Sequence, residues 1–516
     1  MPAGSSQIQH VFVLMLENRS FDHLLGFSGI TGTDAVTGAP TKINGLAGTE
    51  SNSFSGTSYS VQPPGADFVM PCDPNHEFDH ILVQLCGPGA QYPKGGPYPP
   101  ITDSGFVDSY VSSGGGNNPG EVMKCFTLSQ LPVVTALAEE FVVCDNWHAS
   151  LPGPTWPNRM FLHAASSGGL DHSPTTAEIV KWETIGGFNF KNGTLFDALK
   201  THGITRRLYA GDDFPMVAAL KGIHLDDIRP YSNFASDLKQ PAYPFTYVFI
   251  EPSYDVLNQY KNSTSEHPLT DITLGEGLIK ATYEAIRNSA YWNNSLLIIT
   301  WDEHGGFYDH AVPGPAVAPG DTASNSQFNQ FGFTFEQYGP RVPAIVISPL
   351  IPKNLIDHRL YDHASVPATI ENLFGLKALT ARDAQANHLD ALLTLATPRT
   401  DAPLMLPLPA VSTFGTAPMA MATAAPRDLS ITKASNPNGT VNQGTLPGVI
   451  HSALRQDLEL SPPAQRDAIL ARVSKIETRE QARLYLADVQ KKIHTRRPKP
   501  TDPANPDSAR SQASSQ

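Results

Sequence analysis

Residues 11–16 read Val-Phe-Val-Leu-Met-Leu, an unbroken apolar run that passes without a turn into Glu17, Asn18, Arg19, Ser20, Phe21, Asp22 and His23. A short run of this kind with β-branched members predicts a strand buried on both faces, as in a parallel sheet. Comparable runs recur at 141–144, 207–209, 247–250, 296–300 and 344–348. Between them, Leu274, Leu278, Thr282, Ala285 and Ile286 fall at helical spacing, and 365–374, with Pro367 in its opening turn, predicts another helix. Strands alternating with helices predict an α/β fold with a mainly parallel central sheet and helices on both faces. Ligands bind such sheets beyond the carboxyl ends of the strands. The polar residues that follow position 16 therefore mark a candidate site.

The stretches 29–66 and 87–120 are rich in Gly, Pro and Ser and are expected to be long loops roofing that edge of the sheet. Beyond 374, the Pro-, Ala- and Thr-rich stretch 397–426 predicts a linker or surface wrap, and 461–493 predicts helix. The last residues have the composition of a disordered tail. These shifts divide the chain into a site-bearing domain over 1–396 with long loop insertions, a linker and helical extension over 397–497, and a tail over 498–516. No internal repeat is evident.

Composition narrows the possible functions. At 516 residues the chain can bury a large core, and a charged fraction of 16% beside 40 Gly and 45 Pro fits a compact protein with many surface loops. A net charge of −13 leaves no broad electrostatic footprint for nucleic acid or an anionic membrane, so an anionic substrate needs a local cation. The four cysteines, Cys72, Cys86, Cys125 and Cys144, lack the paired short spacings of a zinc site. Cys72 and Cys86 could close a disulfide; buried free thiols are the alternative. No stretch approaches the roughly 20 apolar residues of a spanning helix, and "MPAGSSQIQH" lacks a basic region followed by an apolar core. Stable membrane insertion and a conventional export signal are therefore not expected, which leaves a cytoplasmic location or export by another route.

The stretch "SLLIITWDEHGGFYDH" repeats the opening design: a buried strand runs directly into Asp302 and Glu303, with His304 and His310 nearby and Gly305-Gly306 allowing a sharp turn. Two parallel strands that each deliver oxygen ligands at their ends can hold a divalent cation between them. Glu17, Asn18, Asp302 and Glu303 are the candidate ligands, since gathering three buried carboxylates without a cation would cost several kcal/mol or force proton uptake. In "CDNWHASLPGPTWPNRMF", Gly153, Pro154 and Pro157 build a rigid turn around Thr155, ahead of Asn158 and Arg159. A hydroxyl held beside a metal can ionise and attack phosphorus, although Thr155 would also serve as an ordinary helix N-cap. Arg159 or Arg19 could bind phosphate oxygens, and His304 and His310 are further candidates for substrate contact. Among the histidines, His76 in "CDPNHEFDH" and His267 in "SEHPLTD" stand out because each sits beside turn residues in a polar loop. Either could protonate a departing alkoxide near neutral pH.

Taken together, "ENRSFDH", "GPTWPNR", "EHP" before a helix, "WDEHGGFYDH" and "GPRVPAIVISP" resemble the bacterial phosphoesterase family of phosphatidylcholine-type phospholipases C and acid phosphatases, with plant non-specific phospholipases C as relatives. The similarity runs from Val11 to about Phe374 in the family's order. It implies an alkaline-phosphatase-like α/β fold with one divalent metal ion. Glu17, Asn18, Asp302 and Glu303 fall on its metal ligands, Thr155 on its nucleophile, and His76 and His267 on histidines around the phosphate. His76 is preferred to His80 for its "DPNH" setting.

The resulting expectation is a metal-dependent phosphoesterase with a phospho-threonine intermediate, acting first on phosphatidylcholine-type lipids. An acid phosphatase for phosphomonoesters is the first alternative, and a non-catalytic phosphate-binding protein the second. A sulfatase is disfavoured because no cysteine lies in a Cys-x-Pro-x-Arg setting. Dispersed substrates should be preferred to vesicles, unless Tyr92, Tyr98, Phe106 and Tyr110 in the long loops anchor at an interface.

Overall fold

The structure is a computed structural model that describes all residues except 1, 63–64, 185–187, 323–325, 413–419, 421–422, 443 and 497–516. All seven residues of the strand His10–Leu16 are buried, as are all seven of Ser295–Trp301. Because alternate side chains point to opposite faces, both faces of the sheet are covered there.

Ten strands form the central sheet. In chain order they are β1 (His10–Leu16), β2 (Thr31–Asp34), β3 (Pro40–Lys42), β4 (Val142–Cys144), β5 (Arg206–Ala210), β6 (Ile228–Pro230), β7 (Tyr247–Glu251), β8 (Ser295–Trp301), β9 (Ala344–Ile347) and β10 (Leu355–Asp357). Their spatial order is β3-β2-β10-β4-β9-β8-β1-β7-β5-β6. β1 pairs in parallel with both β8 and β7, and parallel pairing continues through β5 to β6 and on the far side through β4, β10 and β2. β9 is inserted antiparallel between β8 and β4. The expected mainly parallel α/β architecture is observed.

The helices that bear on the site are α1 (Phe78–Cys86), α2 (Phe106–Ser112), α3 (Pro132–Glu140), α4 (Thr155–Ala164), α5 (Thr176–Thr184), α6 (Ile272–Arg287), α7 (Ser365–Phe374), α8 (Leu446–Leu460), α9 (Arg466–Val473) and α10 (Arg479–Arg496). Asp271 caps α6 by accepting the Thr273 N–H at 3.1 Å, and Leu274, Leu278 and Ile286 are buried.

The two stretches expected to be plain loops carry structure of their own. Residues 29–66 contain β2 and β3 at one edge of the sheet and a separate hairpin, Ser51–Phe54 with Thr57–Ser60. Residues 87–120 contain α2. Tyr92, Tyr98, Phe106 and Tyr110 pack inward: Phe106 and Tyr110 are core residues, while Tyr92 and Tyr98 lie against Phe78 and Phe333. Large apolar side chains stand exposed instead at Leu404, Met405, Leu408 and Val411. All four cysteines are free thiols. No helix among the described residues is long and apolar enough to cross a membrane.

Helix α8 was not evident in the sequence, and it joins the extension to the main body. Ile450, Leu454, Leu486 and Val489 belong to the same hydrophobic core as β1 and β8. The segment before it lies along α6, with Lys280 Nζ donating to the Leu406 carbonyl at 2.6 Å and Tyr283 Oη to that of Pro403 at 2.7 Å. The expected tail lies outside the described residues. Gly448, in the first turn of α8, abuts Trp156 so closely that a Cβ there would fall 1.7 Å from the indole Cζ2. Gly448→Ala must therefore displace either α8 or Trp156, and overpacking of this kind costs about 1–3 kcal/mol. A fall in Tm of several degrees is expected by calorimetry, and an unchanged Tm would show that the contact gives way freely.

Candidate active site

β1 and β8 run side by side in register, with Leu16 opposite Trp301, so Glu17 and Asp302 leave the sheet as neighbours. Asn18 adopts the left-handed region (φ 59°), which a short amide tolerates. Its backbone N–H donates to Asp302 Oδ1 at 2.9 Å, and its Nδ2 donates to Glu303 Oε1. Asp302 Oδ1 also accepts the Glu303 N–H at 2.7 Å, and Glu303 Oε2 accepts the Gly305 N–H at 2.8 Å. Gly305 is required here: its φ is +67°, and a Cβ would lie 2.1 Å from the Asn18 carbonyl oxygen.

All four candidate ligands are fully buried. Neither carboxylate oxygen of Glu17 has a hydrogen-bond partner, and neither has Asn18 Oδ1. Burial above all, helped by the Asp302 charge and opposed by Arg159, pushes the Glu17 carboxyl up to about 8. Burial, opposed by Arg159 and reinforced by Glu303, likewise raises Asp302 to about 6. Orphaned acceptor oxygens in a dry pocket with surplus negative charge fit a hard divalent cation.

Thr155 is the first residue of α4; Pro154, not Thr155, holds the N-cap position. Asn158 locks the turn that delivers it, accepting from Leu151 N and donating to the carbonyls of Leu151, Gly153 and Pro154. Arg159 lies one helical turn beyond Thr155 and so shares its face. Its Nε donates to Asp302 Oδ2 at 3.0 Å and its Nη2 to the Leu16 carbonyl at 2.9 Å, while Nη1 lies 3.6 Å from Glu251 Oε1. Arg159 thus ties α4, and Thr155 with it, to the ends of β1 and β8.

His76 and His267 come together, their ring centroids 6.2 Å apart. They flank Asp73, whose Oδ2 is 3.6 Å from His267 Nε2. Burial lowers the His76 pKa, but the Glu303, Asp73 and Glu77 carboxylates outweigh it and raise it to about 9. His267 is held well below the ordinary imidazole range by burial and by the His76 and Arg19 charges. Asp73 and His76 line a cleft of about 660 Å³, with Glu77, His172, Phe331 and Pro447 among its other walls.

The residues lining that cleft include His76 but not Thr155, His267, the four candidate ligands, His304 or His310. His304 is buried beneath Phe106, with Nε2 2.8 Å from Gln84 Oε1 and Nδ1 3.3 Å from Glu303 Oε2. His310 belongs to a second cluster, in which its Nδ1 is 2.6 Å from Asp22 Oδ2. Ligand atoms of Asp22, Asp309 and His310 lie within 4.8 Å of one another, a grouping of the kind that holds metals. Here the buried Arg341 guanidinium bridges the two carboxylates, 3.0 Å from Asp22 Oδ1 and 2.8 Å from Asp309 Oδ1. Arg19, the other cation weighed for phosphate, is buried on the Glu266 carbonyl and His23.

Two groups at this site, Asp73 and Glu251, are not singled out by the sequence, and a third, His363, is one of its histidines with no role assigned. Asp73 could have been noticed as the acid of the Asp-Pro turn before His76. His363 takes the Trp147 N–H on Nδ1 and lies 2.6 Å from the Asp302 carbonyl through Nε2, bracing the end of β8. Glu251, at the end of β7, is pushed up to about 7 by burial against the pull of Arg159.

The phosphoesterase family model matches residues 8–377. The chain belongs to the phosphoesterase family. It is therefore a hydrolase of phosphoric ester bonds. This phosphoesterase is 37% identical to non-specific phospholipase C6 of Arabidopsis thaliana over 419 residues, covering 78% of the chain and 75% of the relative. It is 34% identical to non-specific phospholipase C3 of the same plant over 426 residues (78% and 77%), and 27% to phospholipase C B of Mycobacterium tuberculosis H37Rv over 446 residues (77% and 80%). Among solved structures, an alkaline phosphatase superfamily protein from Vibrio parahaemolyticus aligns at a TM-score of 0.29 and 16% identity, over 52% of this chain and 66% of that one.

Proposed function

We propose that this phosphoesterase is a metal-dependent phospholipase C that cleaves phosphatidylcholine-type lipids through a phospho-threonine at Thr155. The observation that carries the proposal is the convergence of Glu17, Asn18, Asp302 and Glu303 at two adjoining strand ends, with the Glu17 oxygens and Asn18 Oδ1 buried and unpartnered. These four side chains would hold one divalent cation. When bound, it supplies positive charge against the phosphate oxygens and favours the ionised form of an adjacent hydroxyl. The names of the relatives support phospholipid as the substrate class.

Thr155 Oγ1 attacks phosphorus in line with the ester oxygen; the Oγ1–P bond forms as the bond to the diacylglycerol oxygen breaks. The departing alkoxide takes a proton from the His76 and His267 pair, of which His76 lines the cleft. Water then attacks phosphorus as the Oγ1–P bond breaks, giving a proton to the imidazole that had lost its own, so that phosphocholine leaves and Thr155 Oγ1 returns to the ionised form in which it attacked. Arg159 acts through Asp302 and α4, holding nucleophile and ligands in one frame, and His304 acts through Glu303.

The test is to assay short-chain phosphatidylcholine and p-nitrophenyl phosphate side by side from about pH 5 to 8, with and without a chelator. The expected result is diacylglycerol and phosphocholine from the lipid, lost on chelation and restored by a divalent cation. Phosphate release from the monoester alone would replace this reading with an acid phosphatase, and activity indifferent to chelation would remove the metal from it.

A further inference from the structure

Behind His267 stands Tyr260, whose ring is stacked on the imidazole with centroids 3.6 Å apart and planes inclined by only 7°. Tyr260 sits in the left-handed region (φ 61°), directly after Gln259 (φ 52°). That conformation is unfavourable for a bulky side chain by about 1–3 kcal/mol and persists only where the surroundings over-determine it. They do so here. The Tyr260 N–H donates to the Asp255 carbonyl at 3.1 Å, and the Tyr260 carbonyl accepts from Ser263 N at 2.9 Å and Thr270 Oγ1 at 2.6 Å.

The phenol itself is held from the other end of the chain. Tyr260 Oη lies 2.5 Å from Thr445 Oγ1 and accepts the Thr445 N–H at 3.2 Å. Thr445 is buried and immediately precedes α8. It lies beyond the residues matched by the family model, which end at 377. The same few residues reach the nucleophile's surroundings through Gly448, packed on Trp156 beside Thr155. His267 also has a defined tautomer: its Nδ1 accepts the Leu269 N–H at 3.3 Å, so the neutral ring carries its proton on Nε2, the atom that faces Asp73.

We propose that Tyr260, latched by Thr445, is a positioning residue that sets the plane of His267 and aims its Nε2–H towards Asp73 on the wall of the cleft. The reason is geometric. Leu269 N fixes one edge of the imidazole, but a single hydrogen bond leaves the ring free to rotate about it; a coplanar phenol at stacking distance removes that rotation. A phenol anchored only by its own backbone could swing away, and the two hydrogen bonds to Thr445 stop it. Catalytic groups held to within a fraction of an ångström keep their effect only while such a frame is rigid. The C-terminal extension thereby serves the chemistry without touching substrate. The inference rests on the reading of His267 given above.

The experiment uses the full-length, metal-loaded enzyme with short-chain phosphatidylcholine, whose alkoxide leaving group needs the proton that His267 is read to supply. Tyr260→Phe and Thr445→Val should each lower kcat about 5- to 20-fold with KM changed less than twofold, and the double variant should fall no further than the worse single one, because both break one latch. Thr445→Ser, which keeps the hydroxyl, should stay within twofold of wild type. Tyr260→Leu, which loses the ring face, should fall further than Tyr260→Phe. In ¹⁵N-histidine spectra, wild type should show His267 as the single Nε2–H tautomer and Tyr260→Phe a mixture of tautomers or broadened signals. The His267→Ala background separates the two readings. If His267→Ala is itself harmless, the reading of His267 has failed. If His267→Ala is damaging while Tyr260→Phe and Thr445→Val retain normal kcat and an unchanged His267 spectrum, Tyr260 positions nothing and this inference is overturned. A kcat loss that persists undiminished when Tyr260→Phe is added to His267→Ala would overturn it as well, because the tyrosine would then act elsewhere.

Discussion

Thr155→Val is expected to lower kcat on short-chain phosphatidylcholine by roughly 10³-fold or more, the scale seen when a covalent nucleophile is removed, with the fold intact. Valine keeps the branching and nearly the volume of threonine. Loss of the hydroxyl removes no helix cap, since Pro154 holds that position and makes no side-chain capping bond. The frame around residue 155 is also independent of it. Asn158 locks the preceding turn and Arg159 ties the helix to Asp302 and Leu16. Stability should therefore change little and activity greatly, the pattern that distinguishes a reacting atom from a packing residue. Thr155→Ser returns an oxygen to the same backbone position and should stay within roughly tenfold of wild type. Acid quenching during turnover, followed by peptide mass spectrometry, should find the phosphoryl adduct at Thr155 in wild type and none in the valine variant. A valine variant with near-normal turnover, or an adduct at another residue, would refute the covalent mechanism.

Much of the sheet and the proposed ligand set could be read from the sequence for one physical reason. β1 and β8 are buried on both faces, so each is a continuous apolar run, and the chemistry sits in the next one or two residues of the same motif. Direction is not encoded in such a run, which is why the antiparallel insertion of β9 escaped notice. β2 and β3 read Thr-Gly-Thr-Asp and Pro-Thr-Lys; they pair through backbone at an exposed edge and carry no apolar signature. In α8 the apolar spacing at Leu446, Val449, Ile450, Ala453 and Leu454 is present, but Pro447 and Gly448 in its first turn weaken the helical signal. His304 stays against Glu303 but is buried away from the cleft, and His310 leaves the ligands for a separate cluster. The positive-φ pair Gly305-Gly306 turns the chain, so that His304 lies under Phe106 and His310 reaches Asp22. Asp73 and Tyr260 matter through partners far along the chain, and Tyr260 adopts a backbone conformation that its residue type does not announce.

Glu17→Gln is expected to uncouple two properties that usually fall together, lowering metal content and activity while stabilising the metal-free chain at alkaline pH. The carboxylate is fully buried, has no hydrogen-bond partner and is raised to about 8 chiefly by burial. Without a cation, the folded state must keep this group protonated. A carboxyl whose folded pKa lies above its unfolded value contributes stability that is complete below the unfolded value, near 4.5, and is lost as pH rises towards and through 8. The chelated wild type should therefore show a Tm that declines between about pH 5 and 8, reinforced by Asp302, which burial raises to about 6. Glutamine has nearly the same shape and cannot ionise, so the chelated Glu17→Gln variant should lose part of that decline and melt above chelated wild type at pH 8. With divalent cation present the order should reverse. The cation stabilises whichever fold binds it in proportion to its affinity, and the variant has lost a charged ligand; affinity should drop by at least roughly 100-fold, more than the ~10–100-fold typical of removing an outer partner. Asp302→Asn should lose metal too, and in addition leave Arg159 facing a neutral amide, so its chelated form should gain less than Glu17→Gln does. Elemental analysis and paired melting curves with and without chelator decide the matter. Full metal content in Glu17→Gln, or identical pH dependence of the two chelated proteins, would mean that Glu17 neither binds the ion nor carries the buried charge described here.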